Sequence, residues 1–345
     1  MSVGAELARR GHDVTLIGSG PAVESAPYRY LSASLIKRER FEQFPSLPAF
    51  RNETAWEEAS FLPGFLRVYR PQDYDVTLAC SYPFLNWALR SRRQGGKRPA
   101  HVFVTQNGDW PARAGNSEYR FFGCDGLIGI NPDYYEANRE RFVSALIPNG
   151  VDLARFHPGR ARRSTFGLPE DVPLVLMASA LIESKNVEAG IEAVSKLPGV
   201  YLAVAGDGPL RERLKAKADA LMPGRFHNFT TTPEQMPDVY RTSDLFMHLS
   251  KDEAFGNVYV EAMASGIATV SWNLPRTRWI TEKTAHLVPT DDIGALSKAI
   301  RSGLNASHAT ERLASRAEYF SWQRIGGLYE DFLGQIVSGT VTAKI

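Results

Sequence analysis

PLVLMASALIESKNVEAGIEAVSKLPGVYLAVAGDGPL, residues Pro173–Leu210, alternates two kinds of apolar pattern. Pro173–Ala180 is a short, nearly continuous apolar run, the mark of a strand buried on both faces. Val187–Leu197 repeats apolar residues at helical spacing, and Gly199 restarts the chain into a second run, Val200–Ala205. Gly206–Pro209 is a turn, and Leu210–Leu221 follows as a charged amphipathic helix. The alternation continues through a strand at Arg225–Thr230, a helix at Pro233–Thr242, a strand at Leu245–Leu249, a helix from near Phe255 and a strand at Ile267–Trp272. Strands that alternate with helices return by crossovers, which build parallel sheets. The pattern predicts a doubly wound α/β domain.

Outward from this stretch, the first half is looser but of the same kind. Asp13–Gly18, Asp75–Cys80, His101–Gln106 and Gly126–Ile130 read as buried strands, with a short last one at Ala145–Pro148. Tyr82–Arg93 and Pro132–Phe142 read as helices, and Ser19–Tyr74, poorly patterned and rich in aromatics and Arg, as partly helical. Phe156–Arg163 (FHPGRARR) has the composition of a linker. The tail Asp291–Ile336 reads as helical throughout. The expected organisation is two Rossmann-like domains, 1–152 and 153–315, facing across a cleft. A C-terminal helix, 316–345, is expected to pack back across their interface. The chain opens inside a helix, Ser2–Arg10, before its first strand. Doubly wound domains normally begin with a strand and a glycine loop. The first strand of the N-terminal domain is therefore expected to be missing, through truncation or because the domain does without it.

Composition narrows the function classes. Three hundred and forty-five residues suit two domains, and 43% hydrophobic with 23% charged residues excludes disordered and fibrous chains. A net charge of +2 is too balanced for a nucleic-acid partner. Two cysteines, Cys80 and Cys124, cannot make a disulfide framework or a four-thiolate metal site. The apolar run Val172–Ile182 stops short of membrane-spanning length. Glu6, Arg9, Arg10 and Asp13 stand where a signal peptide needs apolar residues. A cytoplasmic protein is expected, with contact at the inner face of a membrane as a secondary reading.

Chemistry concentrates in Ser250–Gly266, SKDEAFGNVYVEAMASG. Seven residues separate Glu253 from Glu261, and Phe255-Gly256-Asn257 lies where a strand gives way to a helix. A helix N-terminus offers unpaired N–H groups and the positive end of the dipole, which suits a diphosphate. Gly256 lets backbone approach such a ligand closely. For either glutamate alone, dipole complementarity or a solvated surface is the better account; the pair with the intervening Phe-Gly argues for a site. Gly206-Asp207-Gly208 at a strand-to-helix turn fits a nucleotide neighbourhood and an ordinary glycine turn equally well. Lys185, in Glu183-Ser184-Lys185-Asn186, would share the sheet edge with Glu253 and could neutralise a phosphate, although a loop lysine is usually just solvated.

Taken together, NGVDLARFHP (149–158), ESKN (183–186), AGDGPL (205–210) and EAFGNVYVEAMASG (253–266) resemble the retaining glycosyltransferases of family 4, which have the GT-B fold. ELARRGHDVTLIG (6–18) and DGLIGINPDYYEANRERF (125–142) are similar to that family's first domain. The resemblance implies transfer of a sugar from a UDP-, GDP- or ADP-sugar donor to a glycan, lipid-linked or small-molecule acceptor. It implies that Glu253 faces the donor sugar and supports positive charge at the anomeric carbon, and that Lys185 stabilises the departing phosphate. Glu261 would accept from the ribose, amides of Phe255, Gly256 and Asn257 would hold the diphosphate, and Gly206 and Asp207 would complete the donor site. No metal or other cofactor is then required, because cation and amides serve the leaving group. Retention in the family is attributed to a same-face mechanism without a protein nucleophile.

Departures accompany the likeness. The family's Arg five residues before the lysine is Ala180 here, and its first-domain His is replaced by Gln106-Asn107-Gly108-Asp109-Trp110. Asn107 and Asp109 become candidates for holding sugar hydroxyls on position alone. His12 reads as a turn residue, His248 as a satisfied sheet-end histidine, both cysteines as small buried side chains, and Trp110 and Trp272 as core packing or sugar platforms. Arg90, Arg92, Arg93, Lys97 and Arg98 read as solvated, with attraction to anionic lipid as the minority account. An epimerase on the same fold and a non-catalytic binding protein are the alternative functions; Ala180 and the missing strand favour the latter.

Overall fold

The computed structural model describes residues 2–36, 53–90, 98–106, 122–160, 162–289, 291–306 and 310–340. The chain divides into two compact units: Met1–Pro148 with Trp322–Ile345, and Asn149–Ser321. The first unit thus takes both chain ends, and its limits lie a few residues from those expected after 152 and 315.

In the first unit α1 (Ser2–Arg9) leads to β1 (Thr15–Gly18), which pairs in parallel with β2 (Arg29–Ser32). Then come α2 (Glu53–Val68), β3 (Val76–Ala79), α3 (Phe84–Arg90), β4 (Ala100–Val104), β5 (Gly126–Gly129), α4 (Pro132–Asn138) and β6 (Ser144–Leu146). Strands β3 to β6 form a parallel sheet in sequence order, and among the described residues β1–β2 is a separate sheet. Sequence periodicity missed β2, because four residues with both ends exposed carry too little pattern.

The second unit runs β7 (Leu174–Ala178), α5 (Val187–Ser195), β8 (Tyr201–Ala205), α6 (Arg211–Leu221), β9 (Phe226–Phe229), α7 (Met236–Arg241) and β10 (Leu245–His248). It continues with α8 (Asn257–Ala264), β11 (Thr269–Trp272), α9 (Pro275–Thr281), β12 (Ala285–Val288), α10 (Ile293–Asn305) and α11 (Thr310–Glu318). Its six strands are all parallel in the order β12-β11-β10-β7-β8-β9. Every residue of β7 and β10 is buried, which is why both read as continuous apolar runs. Val175, Met177, Val204 and Met247 of the sheet pack with Ile191, Leu214 and Leu296 of the covering helices. Each such side chain contributes roughly 1.5–3 kcal/mol on burial. The strand order reverses between β7 and β10, the kind of switch point beside which sheets of this class bind ligands. The loops leaving the carboxyl ends of those two strands carry Lys185 and Glu253.

Two expectations change, those for the tail and for the linker. The tail is not helical throughout: Tyr319–Ser321 breaks it, and Ser321 bridges Val151. The helix α12 (Trp322–Ser338) belongs to the first unit and lies on α1. There Arg10 Nη2 donates to the Gln323 carbonyl at 2.6 Å, and a Cβ on Gly326 would meet Glu6 Cγ at 2.2 Å. The stretch read as a linker ends in a buried arginine rather than in solvent. The Arg163 guanidinium donates to the carbonyls of Thr242, Glu170 and Val172 and to Asp244 Oδ2, all within 2.7–2.8 Å, clamping the amino-terminal edge of β7.

Candidate active site

The switch point of the second sheet joins Lys185, His248 and Glu253. Lys185 ends a 3-10 turn, Glu183–Lys185, closed by Asn186 in the left-handed region (φ 51°). Asn tolerates that conformation better than most residues, so the ESKN sequence can turn sharply and start α5. His248 is the last residue of β10 and is 3% exposed. Lys185 Nζ donates to Glu253 Oε1, and His248 Nε2 donates to the same oxygen at 3.0 Å. Lys185 Nζ also lies 3.5 Å from the hydroxyl of buried Ser250. Burial by itself would raise the Glu253 carboxyl, but the hydrogen bonds and charges of His248 and Lys185 outweigh it and bring the pKa to about 2. The carboxylate is therefore ionised at every physiological pH, and an ammonium stands beside it.

Gly256 caps α8 in the left-handed region (φ 86°), a conformation that favours glycine. A Cβ there would also meet Tyr259 Cδ2 at 2.7 Å. Phe255 is buried against Trp279 and Phe320, so its side chain belongs to the core and only its backbone is available to a ligand. Among the described residues the amides of Gly256, Asn257 and Val258 donate no recorded hydrogen bond, as the first turn of a helix leaves them. Asn257 is exposed, and its Oδ1 accepts from Asn149 Nδ2 at 3.1 Å. That bond ties the NGVD segment to the start of α8.

Glu261, inside α8, accepts from the hydroxyl of Tyr240 at 2.8 Å through Oε2. Burial raises its pKa, opposed by the Tyr240 hydrogen bond and the charge of Arg155. Gly206 and Asp207 are not joined to these groups. A Cβ on Gly206 would sit 1.9 Å from the Ser179 carbonyl oxygen, and Leu181 N donates to Asp207 O at 2.9 Å. The glycine turn thus packs on the loop that carries Lys185 and supports it. The Asp207 side chain faces outward and binds Arg211 Nε at 2.9 Å. Asn107 and Asp109, with Trp110, lie outside the described residues, as do Arg92, Arg93 and Lys97.

Other candidates find ordinary partners. His12 meets Glu330 at 2.8 Å, Arg98 forms a bidentate pair with Asp125, and the Trp272 indole N–H donates to Leu249 O at 3.1 Å. Burial pushes both cysteine thiols above their usual pKa, so neither is a ready nucleophile. Among the described residues no three His, Cys, Asp or Glu side chains cluster to hold a metal, and no helix is long and apolar enough to cross a membrane. Sequence reading passed over Tyr240, and over His248 as a partner of Glu253. A polar aromatic just before each carboxylate's strand or loop is too common a pattern to stand out.

Comparison with known proteins follows the same division. Residues 1–155 match the family described as Glycosyltransferase Family 4, and residues 160–319 match Glycosyl transferases group 1. A lipopolysaccharide core biosynthesis glycosyltransferase, LpsE, of Rhizobium meliloti (strain 1021) is 31% identical over 236 residues, 67% of each chain. The solved sucrose-phosphate synthase of Thermosynechococcus elongatus superposes with a TM-score of 0.75 at 19% identity, covering 98% of this chain and 92% of that one. Anabaena HepE, solved with UDP and glucose, gives a TM-score of 0.59 at 19% identity over 69% of this chain and 72% of its own. The chain belongs to the group 1 glycosyl transferases: it is a family 4 glycosyltransferase of the GT-B fold class, built from two Rossmann-like units.

Proposed function

We propose that this enzyme transfers a hexose from a nucleoside-diphosphate sugar to a lipid-linked glycan acceptor with retention of anomeric configuration. The observation that carries the reading is the ionised Glu253 carboxylate held beside the Lys185 ammonium at the switch point, next to the free amides of α8. The diphosphate rests on those amides and on Lys185, whose ammonium has three N–H donors and spends one on Glu253. The bond from the anomeric carbon to the diphosphate oxygen breaks, and its electron pair leaves with the nucleoside diphosphate. Glu253, through its second oxygen, stabilises the positive charge that develops on the sugar. The acceptor hydroxyl bonds to the anomeric carbon on the face just vacated, and its proton passes to the departing diphosphate. Glu261 accepts from the ribose. With an ammonium and a helix N-terminus serving the leaving group, no metal is needed. The acceptor class is supported by the name of the LpsE relative, and a uridine donor by the UDP and glucose bound to HepE.

The test incubates the protein with UDP-glucose, UDP-N-acetylglucosamine, GDP-mannose and ADP-glucose, with and without a lipid-linked oligosaccharide extract. Free nucleoside diphosphate and the product's anomeric proton are followed. One donor should release diphosphate much faster with acceptor present, yield an α-linked product, and be unaffected by EDTA. An inverted product, or isomerisation of the donor sugar without acceptor, overturns the reading.

A further inference from the structure

A continuous aromatic row runs from Phe156 through α7 and β10 to Tyr259 of α8 and reaches both glutamates. Phe156 meets Tyr240 edge-on at 6.0 Å, and Tyr240 meets Phe246 at 5.3 Å. Phe246 stacks on the His248 ring at 6.2 Å with 11° between planes, and His248 meets Tyr259 edge-on at 5.2 Å. Tyr240, Phe246, His248 and Tyr259 are each 3% exposed or less, so their rotamers are fixed by packing. Two of the four aim a donor upward. The Tyr240 hydroxyl donates to Glu261 Oε2 at 2.8 Å, and His248 Nε2 donates to Glu253 Oε1 at 3.0 Å. Among the described residues no donor is recorded for Glu261 Oε1 or Glu253 Oε2. The backbone under His248 is also tied: Ser271 Oγ donates to its carbonyl at 2.7 Å and accepts from the Tyr259 hydroxyl at 2.7 Å. The row is therefore tied to the sheet through Ser271 of β11 as well as to α8 through Tyr259.

Resting on the function proposed above, we infer that Tyr240 and His248 are positioning residues, each pinning one oxygen of a glutamate so that the other oxygen is presented to the donor. A carboxylate free to rotate about its last bond would offer either oxygen in many orientations, and charge stabilisation in the transition state depends on a preset geometry. The two pins act on different parts of the donor: His248, through Glu253, on the reacting sugar; Tyr240, through Glu261, on the nucleoside. They should therefore separate kinetically, which mere structural support would not produce.

Three variants test this, with donor turnover followed by diphosphate release and nucleotide affinity by titration with UDP, GDP or ADP, whichever binds the wild type tightest. His248→Phe keeps the stack and removes the donor. It should lower kcat about 10–100-fold while the nucleotide Kd stays within about two-fold. His248→Gln, which restores an N–H at the same reach, should recover most of that loss. Tyr240→Phe should weaken nucleotide binding about ten-fold and raise the donor KM with kcat nearly unchanged. Wild-type turnover in His248→Phe, no recovery with Gln, or a Tyr240→Phe defect confined to kcat overturns the inference. Glu253→Gln is run alongside: if it retains wild-type turnover, the catalytic reading itself fails, whereas an inactive Glu253→Gln beside a fully active His248→Phe sinks only the positioning role. If His248→Phe does not fold, His248→Asn, whose amide stops short of Glu253, takes its place beside His248→Gln, and Tyr240→Phe decides its own arm.

Discussion

Glu58 of the first unit and Glu253 of the second are the same side chain beside the carboxyl edge of a parallel sheet, yet they titrate in opposite directions. Glu58, on α2, accepts from the amide of Leu85 at 2.8 Å at the start of α3, the helix that follows β3. Burial dominates there, the backbone bonds to Leu85 and Phe84 only temper it, and the pKa rises to about 6. Glu253 is also largely buried, but Lys185 and His248 converge on it and lower the pKa to about 2. The difference lies in the topology. The reversal of strand order in the second sheet sets the loops after β7 and β10 side by side, where a cation from one meets the carboxylate of the other. In the first unit α2 brings Glu58 to the backbone amides that open α3, and among the described residues a capped helix results instead of a charged site.

The sharpest challenge to this contrast is Glu253→Gln. It should lower donor turnover at least about 1,000-fold while the protein still unfolds in one cooperative transition; diphosphate release and calorimetry check both halves. Next in size, Gly206→Ala should cost about 3 kcal/mol in urea unfolding, since the new Cβ would lie 1.9 Å from the Ser179 carbonyl oxygen. Asp207→Ala, at an exposed side chain, should stay within about 0.5 kcal/mol. A reversed ranking, with nucleotide binding lost in Asp207→Ala, would make that loop part of the donor site rather than its support. Lys185→Ala should reduce turnover about 100-fold and weaken nucleoside-diphosphate binding. An unchanged Kd would remove the phosphate role.

Smaller than the losses expected at Glu253, Gly206 and Lys185 is the effect at Glu58, and it depends on pH. A carboxyl whose folded pKa lies above its unfolded value binds more protons when folded, so its contribution is full below about 4.5 and is lost as pH rises through about 6. Glu58→Gln should thus stabilise the protein by about 1 kcal/mol at pH 8 and not at pH 4. Glu253 has the opposite sign: its contribution is full above about 4.5 and fades as pH falls toward about 2. Carboxyl-carbon NMR titration of the wild type should show both. Overlapping titrations near 4.5 would erase the distinction between the two edges.

Most strands of both units were legible because their evidence is local. A strand buried on both faces, such as β7 or β10, must be apolar at consecutive positions, and a turn such as Gly206–Gly208 must lack side chains where backbones touch. The same holds for the ESKN turn and the glycine that opens α8. β2 and β12, four residues each and only partly buried, were not read as strands, although β1, β3 and β9 of the same length and burial were. Glu253, Glu261 and Lys185 could be nominated from residue type and spacing. Their partners could not.

Residue order along the chain therefore dictated the βα alternation, the glycine turns and the chemical kinds of side chain that the second sheet would bring to its edge. Spatial packing alone settled that Lys185 meets Glu253 across 68 positions, that His248 and Tyr240 each take one carboxylate oxygen, and that Arg163 clamps a sheet edge rather than waving in a linker. Periodicity reports how a segment faces the core. A hydrogen bond or ion pair depends on distance and desolvation between segments, and those are fixed only once the strands have chosen their neighbours.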